Sequence, residues 1–128
     1  MNPASPIPSI DAAEAERRLR EDAGRPLLVD VREANEFEQV RAPGAVLVPM
    51  STFAARAGEL PSDRPLMVVC HLGGRSAAAA GFLIRAGRSE VVNVTGGMDA
   101  WERAGLPVRR GTPAPGEGDL PGEGELRG

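Results

Sequence analysis

The residues with reactive chemistry gather in one short stretch, Cys70-His71-Leu72-Gly73-Gly74-Arg75-Ser76, and the chain holds no second cysteine or histidine. The thiolate, not the thiol, is a nucleophile, and a free cysteine ionises only around a pKa of about 8.5. Three features of the stretch favour ionisation. Gly73 and Gly74 can adopt backbone angles closed to other residues, so several N–H groups can converge on one point. A helix that begins here presents N–H groups without intrahelical partners, together with the positive end of its dipole. Arg75 adds a full charge and a planar fork suited to an oxyanion. Taken singly, each residue has a plain alternative: a lone cysteine is a small buried hydrophobe, Gly-Gly a tight turn, Arg75 a solvated helix start. Taken together, Cys-x-x-Gly-x-Arg-Ser points to a nucleophilic cysteine in an anion-binding loop. His71 adjoins the cysteine, but in an extended or turning backbone its side chain points elsewhere. We read it as a substrate contact or loop filler ahead of a general base.

The flanking segments must position that loop. Leu66, Met67, Val68 and Val69 form an unbroken apolar run after the turn signal Pro61-Ser62-Asp63-Arg64-Pro65. The run is too short for a helix and reads as a strand buried on both faces. Ala77 to Ile84 is a strong helix former, ending at Ala86-Gly87 where glycine is the expected terminator. Cys70 therefore stands where a buried strand ends and a loop opens into a helix.

The remaining elements follow the same alternation. Ser9 or Asp11 caps a helix running to about Glu21 and stopping before Gly24 and Pro26. Leu27 to Arg32 is a second apolar run, and its Asp30 is expensive to bury unless paired. Asp30 is expected to cap a neighbouring loop or pair with Arg32, supporting the site without doing its chemistry. A short helix over Glu33 to Val40, a turn at Arg41 to Ala45 and a brief strand at Val46 to Val48 come next. Ser51-Thr52 can cap a helix to about Glu59. Val91 to Val94 reads as a further strand, and Met98 to Ala104 as a helix carrying Trp101, a core anchor. Alternating strands and helices specify the α/β class, with a parallel sheet covered by helices on both faces. Ligands in such sheets bind at the carboxyl ends of the strands, where Cys70 lies.

Length and composition bound the rest. The 128 residues suit one domain, expected over 9–110. Residues 1–8 carry three prolines and read as a flexible lead-in. Residues 111–128 are rich in Gly, Pro and Glu and read as a flexible tail, too poor in apolar surface to offset its ordering entropy. The net charge of −3, without a basic block, argues against nucleic acid or an anionic membrane as the main partner. One cysteine cannot close an internal disulfide, and an isolated thiol fits a reducing cytoplasm. Neither a transmembrane run nor a secretory leader is visible. One cysteine beside one histidine is a poor zinc ligand set, and no cofactor is expected.

Four segments in order and spacing resemble a single-domain rhodanese, a sulfurtransferase family, over about residues 9–109. They are Val29-Asp30-Val31-Arg32-Glu33 with Glu36-Phe37-Glu38, then Pro43-Gly44-Ala45, then Cys70 to Ser76, and finally Val94-Thr95-Gly96-Gly97-Met98-Asp99-Ala100-Trp101 leading to Ala104-Gly105-Leu106-Pro107-Val108. The resemblance implies a rhodanese-like three-layer fold whose central, mostly parallel sheet has about five strands. It also implies that Cys70 takes a sulfane sulfur, becomes a persulfide and passes the sulfur on. The donor would be thiosulfate or a persulfide, and the acceptor cyanide in an assay or a thiol in a cell. On this mapping the backbone N–H groups of Leu72, Gly73, Gly74, Arg75 and Ser76 face the sulfur, and Arg75 serves donor binding and loop support, the alternative being a purely structural ion pair. Where family members carry histidine in a Gly-His-Ile-Pro-Gly-Ala turn, this chain has Arg41. Arg41 is either a second cationic contact for an anionic donor or a solvated surface residue.

Two other readings use the same loop. In a carrier or binding module, a partner such as a desulfurase would load Cys70, or the loop would serve recognition alone. A cysteine phosphatase also sets a cysteine and an arginine around an anion loop, but with five residues between them. This chain has four, His71, Leu72, Gly73 and Gly74, a loop sized for a sulfur atom rather than a phosphate.

Overall fold

The computed structural model of the chain describes residues 7–22 and 25–121. Five strands, β1 (Ser9–Asp11), β2 (Leu27–Asp30), β3 (Val46–Leu47), β4 (Leu66–Val69) and β5 (Val91–Thr95), form one sheet in the order β1-β5-β4-β2-β3. Every pairing in it is parallel. The helices are α1 (Ala12–Glu21), α2 (Ala34–Gln39), α3 (Phe53–Arg56), α4 (Gly74–Arg85) and α5 (Gly97–Arg103).

Two cores form because side chains alternate across each strand. Leu27, Val29 and Val31 with Leu66, Val68 and Cys70 face one layer, packed with Phe53 of α3 and Ala79, Ala80 and Leu83 of α4. Leu28, Met67, Val69 and Val94 face the other, with Ala12 and Ala15 of α1, Phe37 of α2 and Met98 and Trp101 of α5. The Trp101 ring is buried, and its indole N–H donates to the Pro107 carbonyl at 2.8 Å, so the anchor leaves no orphan polar atom.

Strand order locates the ligand end. From β2 the chain moves to its neighbour β3 on one side, whereas from β4 it moves to β5 on the other. The two connections diverge between β2 and β4, which pair residue for residue from Leu27↔Leu66 to Asp30↔Val69. A divergence of this kind opens a crevice at the carboxyl ends of the two strands. Cys70 follows one of them and Arg32 the other.

The structure differs from the sequence expectations at the margins. Ser9–Asp11 is an edge strand on β5, not a helix start, and Asp11 alone caps α1, accepting from the Glu14 N–H at 2.8 Å. The strand covers the flank of β5 that would otherwise stand open. Helix α4 begins at Gly74, a turn before the alanine run, which brings Arg75 and Ser76 into its first turn. Ser51-Thr52 does not cap a single helix. The Ser51 hydroxyl donates to Glu33 at 2.9 Å, and 3-10 turns at Met50–Thr52 and Ala57–Glu59 flank the one turn of α3.

The segment after Arg110, expected to be a flexible tail, packs against the domain as far as Leu120. The Gly111 N–H donates to the Glu38 carbonyl at 2.8 Å, the Leu47 N–H to the Gly118 carbonyl at 2.8 Å, and Leu120 is buried in the α3–α4 core. Its composition hid two local rewards, one apolar anchor and one carboxylate for a buried arginine. The remainder of the expected tail, 122–128, lies outside the described residues, as does 1–6 of the expected lead-in. Ile7 packs on the core and the Pro8 carbonyl accepts from Asn93 N–H at 2.8 Å. No helix among the described residues is long and apolar enough to cross a membrane.

Candidate functional site: a cysteine in a backbone cradle

Cys70 ends the buried β4 run and has 1% of its surface exposed. The chain turns at once: His71 and Leu72 are exposed, Gly73 takes φ +116°, and α4 starts at Gly74. A φ of that size suits glycine, so this residue lets the loop fold back over its own cysteine. The Gly73 N–H donates to Cys70 Sγ at 3.0 Å, and the Ser76 hydroxyl lies 3.2 Å from the same sulfur. Burial pushes the Cys70 thiol up. The Ser76 hydroxyl and the N–H groups of Ser76, Gly73 and Leu72 outweigh that, and the net pKa falls below the ordinary thiol value. The groups hydrogen-bonded to the sulfur are a backbone N–H and a hydroxyl, dipoles that favour its charged form.

A second turn grips the loop from behind. The first N–H groups of α5 cap two of its carbonyls: Met98 N–H donates to Cys70 O at 2.8 Å and Asp99 N–H to His71 O at 3.0 Å. With those carbonyls drawn toward α5, the N–H groups of the loop turn to the opposite side, toward Sγ. The approach is possible only because Gly97, at φ +57°, carries no side chain. A Cβ there would overlap the Cys70 carbonyl and stand 2.5 Å from that of His71.

A polar chain connects β2 to the loop. Arg32 and Asp30 form a buried pair with Arg32 Nη2 to Asp30 Oδ2 at 2.7 Å, as the cost of burying an isolated aspartate demands. Arg32 also donates to the Val40 carbonyl at 2.6 Å and the Glu36 carbonyl at 3.3 Å, tying α2 to the end of β2. Glu36 then clamps Arg75 in a two-pronged pair of 2.7 and 2.9 Å. The Arg75 guanidinium, more than anything else, holds the Glu36 carboxyl down at about 2. Glu36 in turn raises Arg75 above the usual guanidinium range, and the charges of Cys70 and Asp30 add to that shift. Arg75 thus faces the site with its charge already answered by a carboxylate.

Of the residues expected at the site, Cys70, Leu72, Gly73, Gly74, Arg75 and Ser76 come together in one loop and helix start. His71 joins them by its carbonyl, with its residue exposed. Arg41 corresponds to neither expected alternative. It is 3% exposed, stacked on Phe37 at 5.5 Å, and bonded to Glu117 at 2.5 Å and to the Gly111 carbonyl at 2.7 Å. Those partners spend its donors on the returning tail. Two contributors escaped the sequence reading. Glu36 was visible only as part of a family segment. Asn93 lay inside a run of valines, and one buried amide in an otherwise apolar strand was the signal that could have found it.

Among the described residues no group of three or more His, Cys, Asp or Glu side chains is placed to hold a metal ion. A cavity of about 550 Å³ lined by Arg17, Arg18, Pro26, Pro65, Leu66 and Glu90 lies at the amino ends of β2 and β4, the far end of the sheet from Cys70.

Comparison with known proteins places the chain in a family. A sulfurtransferase of Allochromatium vinosum is 37% identical over 102 residues, covering 80% of this chain and 94% of its own length. A putative sulfur carrier protein of Bacillus subtilis is 36% identical, and the match spans 77% of this chain but only 52% of that protein. Among solved structures, a rhodanese-related protein from Thermoplasma volcanium superposes with a TM-score of 0.71 at 33% identity, covering 80% of this chain and 97% of that one. The family model described as the rhodanese-like domain matches residues 11–104, from the cap of α1 to the end of α5, so the cradle, its clamp and its backing turn all fall within the match. The chain belongs to the rhodanese-like domain family.

Proposed function

We propose that this chain is a sulfurtransferase in which Cys70 carries the sulfur as a persulfide. The observation that carries the proposal is the Cys70 sulfur, lowered in pKa by the Ser76 hydroxyl and converging backbone N–H groups. In the first step the Cys70 thiolate attacks the outer sulfur of thiosulfate. The S–S bond to the sulfite group breaks, and sulfite leaves with the bonding pair. Cys70 then holds a terminal sulfur bearing the negative charge, which the N–H groups of the loop stabilise as they did the thiolate. An acceptor attacks that terminal sulfur: cyanide leaves as thiocyanate, a thiolate leaves as a new persulfide, and the Cys70 thiolate returns. Charge and electrons balance in both steps, so no base, metal or cofactor enters. Arg75, Leu72, Gly73, Gly74 and Ser76 shape the donor's seat, and His71 contacts it from the rim. Asp30 and Arg32 support the loop, and a reducing cytoplasm keeps the thiol free.

A carrier reading has its own support. The guanidiniums of Arg32, Arg41 and Arg75 are each paired with a carboxylate, which weakens the pull on a dianion such as thiosulfate. A sulfur delivered on a persulfide or by a partner desulfurase avoids that handicap.

The reduced protein is incubated with thiosulfate or an alkyl persulfide, weighed intact, and then offered cyanide. Gain of one sulfur atom, absent in Cys70→Ala, with release of thiocyanate, is the expected result. Gain without turnover selects the carrier. No gain from either donor overturns the proposal.

A further inference from the structure

Asn93 is buried in β5 with its side chain on the α4 side of the sheet, 2.6 Å from the Ser76 hydroxyl. Its Nδ2 reaches only the Gly73 carbonyl, at 3.5 Å, the outer limit of a hydrogen bond. Ser76 itself faces three acceptors: Asn93 Oδ1 at 2.6 Å, Cys70 Sγ at 3.2 Å and the Gly73 carbonyl at 3.2 Å. A hydroxyl has one proton to give. Donated to Asn93, it is withdrawn from the sulfur. The conflict disappears if the amide turns over. Its oxygen and nitrogen exchange places within the same volume, Nδ2 donates to Ser76 Oγ, and the hydroxyl proton is released toward Sγ. The cost is the long bond to Gly73, whose carbonyl then faces Asn93 Oδ1 across about 3.5 Å as a second acceptor, and the gain is a relay that ends on a charged sulfur, where hydrogen bonds are strongest.

We propose that Asn93 is a positioning residue, whose amide directs the Ser76 proton onto Cys70 when the sulfur carries negative charge and takes it back when the sulfur is neutral. The inference rests on the reading of Cys70 as the nucleophile, yet it concerns the thiolate alone and can be tested without sulfur transfer. The charged and titratable side chains around the loop are Arg75 of α4, Glu36 of α2, the Asp30–Arg32 pair at the end of β2, and Asp99 of α5, with His71 on the loop itself. β5 contributes none. None of these is altered in the variants below.

With a single cysteine in the chain, the pH profile of iodoacetamide alkylation reads Cys70 directly. Asn93→Leu keeps the bulk and removes the donor, and the apparent pKa of Cys70 is expected to rise by about one unit, a tenfold loss of thiolate below the pKa. Ser76→Ala raises it at least as much. The double variant matches Ser76→Ala alone, because Asn93 acts through that hydroxyl. Should leucine prevent folding, Asn93→Ala gives the same readout. An unchanged or lowered pKa in the Asn93 variant overturns the inference, as does a shift that persists undiminished in the Ser76→Ala background. A shifted pKa in a protein that loads no sulfur upholds the inference while the proposed function fails. Sulfur loading with no shift does the reverse.

Discussion

Gly97 holds φ at +57° with its Cα against the carbonyls of Cys70 and His71, so Gly97→Ala strikes the site through backbone alone. The added methyl cannot stay where the chain puts it, because it would overlap a carbonyl that has no rotamer to retreat to. Two terms set the cost. A non-glycine residue at this φ gives up about 1 to 2 kcal/mol. Withdrawing α5 from the loop also breaks the bonds from Met98 N–H and Asp99 N–H, about 1 kcal/mol each. The sum is about 3 to 4 kcal/mol in a domain whose whole stability is on the order of 5–15 kcal/mol. Urea unfolding at neutral pH measures it. Gly58→Ala is the control, because a Cβ at Gly58 meets nothing within 4 Å. The loop also loses its backing, so Cys70 alkylation at neutral pH is expected to slow several-fold in folded Gly97→Ala. A variant within about 1 kcal/mol of the parent, with alkylation unchanged, would refute the claim that α5 aims the cradle.

Glu36 is held at about 2, below the ordinary 4.5, so the stability it adds is complete above 4.5 and drains away as pH falls toward 2. Partial exposure reduces that to about 1 kcal/mol. Glu36→Gln should therefore lose roughly 0.6 kcal/mol less than the parent between pH 6 and pH 3 in urea titrations, and equal losses would count against the clamp. Arg41→Ala takes the cation from Glu117, which keeps only the Ala114 N–H, and the donor from the Gly111 carbonyl, and costs about 1–3 kcal/mol. Sulfur loading per folded molecule is expected to stay at the parental level. Reduced loading with intact stability would return Arg41 to the donor site.

The parts of this fold that were legible were those governed by local pattern. The runs Leu27–Asp30 and Leu66–Val69 are buried on both faces, apolar but for Asp30, and the break at Cys70-His71 marks the carboxyl end of β4. What escaped notice depends on partners distant in sequence. Ser9–Asp11 is a strand because β5 offers it an edge, which three residues cannot announce. The tail packs because Arg41 needs Glu117, 76 residues away. Asn93 becomes meaningful only once α4 lays Ser76 across it. Arg75 stands in the first turn of α4, and its carboxylate partner on α2, distant in sequence, changes what its charge can do for a ligand.

That last point bears on what the site can discriminate. A cradle of N–H dipoles falls off steeply with distance, whereas a bare guanidinium attracts anions across a Debye length of about 8 Å. With Arg75 neutralised by Glu36 and Arg32 by Asp30, the cradle stabilises charge on the atom it touches and gives little to charge farther out. Under the proposed function, such a site favours the states that differ by one atom at one position, the thiolate and the terminal sulfur of a persulfide. It offers much less to a multiply charged oxyanion that must spread over several oxygens. The four-residue spacing between Cys70 and Arg75 and the pairing of Arg75 by Glu36 thus act in the same direction: the first limits the volume of what the loop encloses, and the second limits its charge. Arg75 released from Glu36 would regain its reach, so Glu36→Gln should bind a dianionic donor more tightly without altering the affinity for a neutral one.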